Sequence, residues 1–278
     1  MTPVPDIILN NGQPIPQLGF GVFLIRPEET AEAVSTALET GYRHIDTAEM
    51  YGNEREVGEA IAKSGLSRGD VFVTSKLNNG SHRPEDARQA FSQTLEALGF
   101  DYVDMFLIHW PLPMKYGGDF VSTWETLAEF YREGRARSIG VSNFQAHHLR
   151  RLHAQSDVPP AVNQIEISPY LTQDDLRVFC IEHQIAVEAW SPLAKGGELL
   201  VDPEVRRIAN QTGKTPAQVV LRWHVERGDI VFPKSVKPAR IRENFDIFDF
   251  GLSGDDVAAI SALDRDQRTG PDPDTFTG

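Results

Sequence analysis

Eight short apolar runs, helical patterns between them at a spacing of about 30 residues, and no Gly-x-Gly-x-x-Gly turn after any run predict a (β/α)8 TIM barrel. A chain of 278 residues fits that architecture, whose usual size is about 250 residues. A doubly wound sheet is the rival fold. The missing glycine fingerprint argues against it, because that fold carries the turn after its first strand.

The elements follow in order. The opening Ile7-Ile8-Leu9-Asn10-Asn11-Gly12-Gln13-Pro14-Ile15 reads as two short runs around Asn11-Gly12, a strong hairpin turn. This N-terminal β-hairpin is placed to plug the bottom of the barrel. Strands are predicted over residues 19–23, 43–46, 71–76, 105–109, 138–142, 161–165, 186–190 and 230–233. Most are apolar on both faces, as buried parallel strands are. Helices are predicted over 30–39, ending near Gly41, and over 53–63. Others cover 84–98, ending at Gly99, and 122–132, ending near Gly134. The remaining ones cover 146–154, 173–183, 203–211 and 216–226, the last two with Pro in the first turn. No linker or low-complexity tract divides the chain. One domain over 1–278 is expected, with a loose C-terminal tail from about Asp264.

Composition narrows the partners. The chain is 40% hydrophobic and 24% charged, which excludes wholesale disorder. Lys plus Arg is 27 against 40 Asp plus Glu, a net charge of −13, which argues against nucleic acid or an anionic membrane. Cys180 is the one cysteine, so no internal disulfide or cysteine-based metal site is expected. The start shows no basic region followed by an apolar one, and no apolar run approaches the ~18 residues that span a bilayer. A cytoplasmic, soluble protein is the expectation.

In a barrel of this kind the chemistry sits where the strands end. Asp46, Lys76 and His109 each close a mainly apolar run, and Tyr51 follows Asp46 by five residues. A charged group in such a place is costly unless it is paired or used. Each alone reads as a capping, solvated or core residue; together they read as a site. No nucleophile–base pair is evident, and a metal would want more His or carboxylate. A phenol has a reference pKa of ~10. A neighbouring ammonium lowers it, and Asp46 would hold that ammonium in place. Tyr51 can then donate a proton to a carbonyl oxygen that gains charge, while neutral His109 orients that oxygen. Such a constellation needs a partner that delivers hydride.

Five stretches, Gly41-Tyr-Arg-His-Ile-Asp46-Thr-Ala, Tyr51-Gly-Asn-Glu54, Leu107-Ile-His109-Trp-Pro111, Gly140-Val-Ser-Asn-Phe144 and Pro233-Lys-Ser-Val236, resemble the aldo-keto reductases in order and spacing. The run from Gly213 to His224 is similar to the bacterial 2,5-diketo-D-gluconate reductase-like members. The resemblance implies NADPH-dependent reduction of aldehydes and ketones, with Asp46, Tyr51, Lys76 and His109 as the catalytic tetrad. It implies that Ser142, Asn143 and Gln164 bond the nicotinamide carboxamide and that Trp190 stacks on its ring. Ser191 and Leu193 match positions around the pyrophosphate. Lys234, Ser235 and Arg240 match the grip on the 2′-phosphate, and Glu243 and Asn244 match adenine contacts. A doubly charged phosphate wants local cations, and Lys234, Lys237, Arg240 and Arg242 cluster in an otherwise acidic chain.

Phe23 and Trp110 are expected as walls of the substrate pocket. The tail either folds over it, bringing Phe276, or frays. Many relatives carry Trp after Lys76-Leu77, where this chain has Asn78, so substrate preference does not carry over. Three motifs are decoys. Gly213-Lys214-Thr215 ends like a P-loop but has Ile208 where the first Gly belongs. The elbow-like Gly140–Phe144 stretch lacks its closing Gly. His147, His148 and His153 lack helical zinc spacing and read as solvated surface, so no metal is expected. The alternative to a monomeric reductase of small carbonyls is a non-catalytic nucleotide-binding regulatory protein on the same barrel.

Overall fold

A computed structural model describes residues 3–278. The first two strands, β1 (Asp6–Ile8) and β2 (Pro14–Pro16), pair antiparallel with Ile7 opposite Ile15. Gly12, at φ +83°, turns the chain between them. Leu9 and Ile15 point into a buried cluster with Met105, Leu107, Ala161, Val162, Ile230 and Phe232. The hairpin therefore closes one end of the barrel with apolar side chains, as the sequence predicts.

Eight strands follow: β3 (Phe20–Gly21), β4 (His44–Asp46), β5 (Phe72–Leu77), β6 (Met105–Ile108), β7 (Ile139–Ser142), β8 (Val162–Glu166), β9 (Ala186–Trp190) and β10 (Ile230–Val231). Each pairs in parallel with the next in chain order. The ring is completed by a parallel bridge from Leu18 to Val231. Across it, the Gly19 amide donates to the Val231 carbonyl and the Val231 amide to the Gln17 carbonyl, both at 3.0 Å. A β-carbon on Gly19 would lie 2.5 Å from the Phe232 ring, so glycine is what lets the seam close.

Helices α1 (Pro27–Thr40), α2 (Glu54–Lys63), α3 (Pro84–Leu98), α4 (Val121–Arg132), α5 (Ala146–Gln155), α6 (Asp174–Glu182), α7 (Pro203–Thr212) and α8 (Pro216–Glu226) cover the outside. Their apolar stripes and the outward strand residues make the main core, with Trp124, Trp223 and Phe91 fully buried. Burial of Leu, Ile and Val there stabilises by about 1.5–3 kcal/mol per side chain. Thr215 caps α8 by accepting from the Gln218 amide, and Gln218 answers on the Thr215 amide. That capping box confirms a helix start, and not a phosphate loop, at Gly213-Lys214-Thr215.

Two helices lie beyond the predicted set: α9 (Pro238–Phe245) and α10 (Gly254–Ser261). Both are short, which is why their periodicity is weak. The tail is also not loose. Asp264 accepts from the Thr172 hydroxyl at 2.8 Å, and the Tyr170 carbonyl accepts the amides of Arg265 and Gln267.

Candidate active site

Strand ends bring the tetrad together. Asp46 is the last residue of β4, Lys76 points inward from β5, and His109 follows β6. A single helical turn at Glu49–Tyr51 carries Tyr51 over them. Lys76 Nζ is fully buried and donates to both Asp46 oxygens at 2.7 and 2.8 Å. It also donates to the Thr47 carbonyl at 2.9 Å and reaches the Tyr51 hydroxyl at 3.3 Å. The Tyr51 and His109 rings meet edge to face at 5.7 Å. The ammonium thus spends its donors on one carboxylate, one carbonyl and one phenol.

Electrostatics assign protonation states. Burial, followed by the charge of Lys76, holds His109 well below the ordinary imidazole value, so the ring is neutral. Burial alone would lower the Lys76 ammonium, but Asp46 and Tyr51 raise it above its usual value. For Tyr51 the sequence expectation is corrected. Burial is the largest influence and raises the phenol above its ordinary value; Lys76 pulls it back without cancelling the rise. Tyr51 is therefore protonated, with the Lys76 ammonium beside its hydroxyl.

A second layer of buried polar groups supports these four. Gln164 Nε2 donates to Asp46 Oδ2 at 2.8 Å and to Glu188 Oε2 at 2.9 Å. Ser142 Oγ donates to the Gln164 carbonyl at 2.8 Å. Asn143, at φ +64°, donates to the His109 carbonyl and to Ser142 Oγ. Its side-chain oxygen accepts the Trp190 indole N–H at 2.9 Å. Asn143 thus pins the indole, a role that its residue type does not announce. Glu188 escaped the sequence reading, although a carboxyl amid Ala186-Val-Glu-Ala-Trp190 is the signal that marks it.

The remaining predicted positions follow β9 and β10 in the chain. Ser191, at φ +52°, and Leu193 shape the turn after β9. Lys234 and Arg240 are exposed, while Ser235 and Asn244 are buried. Ser235 Oγ accepts the Lys237 amide at 3.0 Å, at the start of α9. Lys234, Lys237, Arg240 and Arg242 have no carboxylate partner among the described residues. Glu243 is less free than its predicted adenine contact implies, since one of its oxygens accepts the Thr215 hydroxyl at 2.7 Å.

Phe23 is 52% exposed and packs on Tyr51 at 4.9 Å between ring centres. Trp110 meets Phe276 of the tail at 4.4 Å, so the tail folds over the site. Glu166 holds it there: Oε1 accepts the Thr269 amide and hydroxyl, and Oε2 accepts the Gly270 amide. A β-carbon on Gly270 would lie 2.4 Å from the Trp190 indole.

The histidines of α5 are not uniformly solvated. His148 is buried, and its Nδ1 accepts the Gln145 amide at 3.1 Å. That acceptor role leaves the proton on Nε2, which faces Asp274 of the tail at 3.6 Å. An N–H there opposes metal ligation by the cluster of His147, His148 and Asp274. Among the described residues no helix is long and apolar enough to cross a membrane.

Comparison with known proteins agrees with this geometry. A Mycolicibacterium smegmatis aldo-keto reductase is 51% identical over 272 residues, covering 98% of each chain. A Yersinia pestis methylglyoxal reductase is 49% identical over 278 residues, covering 99% of each. A Bombyx mori aldo-keto reductase, solved in complex with NADP, superposes with a TM-score of 0.92 at 37% identity, over 99% of this chain and 97% of that one. Residues 17–265 match the Aldo/keto reductase family, and with strand ends, the cluster around buried Lys76 and relatives in agreement, the chain belongs to that family of oxidoreductases.

Proposed function

We propose that the chain reduces aldehydes and ketones to alcohols with NADPH, and that Tyr51 gives the proton. The observation that carries this reading is the Lys76 ammonium, buried between Asp46 and the Tyr51 hydroxyl beside a neutral His109. Tyr51 donates to the carbonyl oxygen as charge develops on it, and Lys76 stabilises the phenolate left behind. Asp46 keeps Lys76 charged and in place. His109 offers a hydrogen bond to the same oxygen and fixes its orientation.

The residues present fit the cofactor. Four cations without carboxylate partners suit a 2′-phosphate. The partly open indole of Trp190 suits a stacked ring, and Gln164 and Ser142 lie beside it. When bound, the reduced nicotinamide supplies the hydride. The relative named as a methylglyoxal reductase suggests small reactive carbonyls as substrates. The resemblance extends the reading to a cytoplasmic monomer acting as one domain over 1–278. The packing of hairpin and tail onto the barrel supports the single domain.

The test is loss of NADPH absorbance in the presence of methylglyoxal or a nitrobenzaldehyde. Turnover is expected. Cofactor binding without turnover across a broad carbonyl panel would favour a nucleotide-binding regulatory protein instead. Tyr51→Phe is expected to keep NADPH binding while turnover falls by at least ~10²; near-normal turnover refutes Tyr51 as the donor.

A further inference from the structure

Among the buried carboxyls that the catalytic reading does not use, Glu188 lies against the Asp46–Gln164 pair. Glu188 sits in the middle of β9 with no exposed surface. Its neighbours in that strand, Val187 and Ala189, are apolar and buried. A leucine would occupy this place at no desolvation cost, whereas a carboxyl costs stability unless it is used. Its one hydrogen bond comes from Gln164 Nε2, and its Oε1 has no partner among the described residues.

Gln164 explains the carboxyl. A primary amide has two N–H bonds on one nitrogen, and here both are taken, by Asp46 Oδ2 and by Glu188 Oε2. One hydrogen bond lets an amide swivel about it; two fix the plane. A flipped amide would set its oxygen against the Asp46 carboxylate. The Gln164 side-chain oxygen is therefore turned away from Asp46 and Glu188. The charged groups that bear on Glu188 are Asp46 from β4 and Lys76 from β5. Burial, then Asp46, pushes the Glu188 carboxyl up to about 8, so it is mainly uncharged at neutral pH. An uncharged acceptor fixes Gln164 without setting a second carboxylate beside Asp46.

We propose that Glu188 is a positioning residue for the nicotinamide: its carboxyl locks the Gln164 amide, and Gln164 presents its oxygen to the carboxamide of the cofactor. The inference rests on the reading that NADPH binds at this rim. Its test is calorimetric titration of the full chain with NADPH and, separately, with 2′-phospho-ADP-ribose, which lacks the nicotinamide. Glu188→Leu removes the acceptor at similar volume and is expected to weaken NADPH about tenfold while leaving 2′-phospho-ADP-ribose unchanged. Glu188→Gln keeps an acceptor oxygen and is expected to stay within about twofold of the parent for both ligands. In turnover, Glu188→Leu is expected to raise KM for NADPH more than it lowers kcat. If the leucine variant does not fold, Glu188→Met carries the same expectation.

Unchanged NADPH binding in Glu188→Leu overturns the inference. So does equal weakening of both ligands, which would mark a purely structural residue, or a Glu188→Gln variant as weak as the leucine one. A parent chain that binds 2′-phospho-ADP-ribose but not NADPH overturns the inference. Binding neither ligand overturns the functional reading as well.

Discussion

The two ends of the barrel interior are built from the same strands and differ in kind. Along β6, Met105 and Leu107 point into the apolar cluster that the hairpin seals with Leu9 and Ile15. Beyond the end of the same strand stands His109, in a layer with Asp46, Lys76, Gln164 and Glu188. The base is stabilised by removing hydrocarbon from water, which is non-directional and tolerant. The rim is ordered by hydrogen bonds from Lys76 and Gln164 to Asp46 and Glu188, and one lost partner strands another. Apolar packing closes the base and directional bonds order the rim, so substitutions at the two ends should have different signatures.

The largest break is expected at the rim. Lys76→Met leaves Asp46 buried without its cation, a situation that costs about 3–5 kcal/mol, and removes the ammonium beside the Tyr51 hydroxyl. Denaturant unfolding and turnover are both expected to fall sharply. At the base, Ile15→Ala opens a cavity and is expected to cost about 2–5 kcal/mol while kcat stays at the parent value. A fall in kcat beyond the loss of folded protein would show that the ends are coupled.

A pH series sharpens the contrast. An unfolded glutamate ionises at about pH 4.3, whereas folded Glu188 ionises at about 8. Between those values the folded chain holds a proton that the unfolded chain has released, so Glu188 makes stability fall as pH rises through that window. Glu188→Gln removes the slope. Its stability relative to the parent is expected to grow from about pH 5 to about pH 8 in denaturant midpoints. Smaller and more local, Arg240→Ala is expected to weaken NADPH about tenfold and NADH hardly at all. Equal weakening would place the 2′-phosphate elsewhere. Smallest is Gly270→Ala, whose methyl meets the Trp190 indole; a modest rise in KM for NADPH with unchanged stability is expected.

The barrel was readable because each strand is a short apolar run and helices such as α3 and α8 carry Pro at the start and full periodicity. The meeting of Asp46, Tyr51, Lys76 and His109 was readable because charge at the end of an apolar run is costly. Helices α9 and α10 were not, since eight residues give too few turns to show a stripe. The fastening of the tail was illegible for another reason. Glu166 lies about a hundred positions from Thr269 and Gly270, and their pairing exists only in the folded chain. The pinning of Trp190 by Asn143 is likewise a contact across strands, and no local pattern encodes it. The His148 reading failed because the Phe120 ring packed against it comes from a separate segment, ahead of α4.

The docked tail has an optical consequence. Of the four tryptophans, Trp124 and Trp223 are fully buried in the helical shell. The other two touch the tail: Trp110 through Phe276, and Trp190 through Gly270. Emission from the first pair is a constant background, while emission from the second reports whether the tail is seated. A red shift without loss of helical signal would register the tail lifting from the rim, so the protein carries its own fluorescent gauge of access to the site.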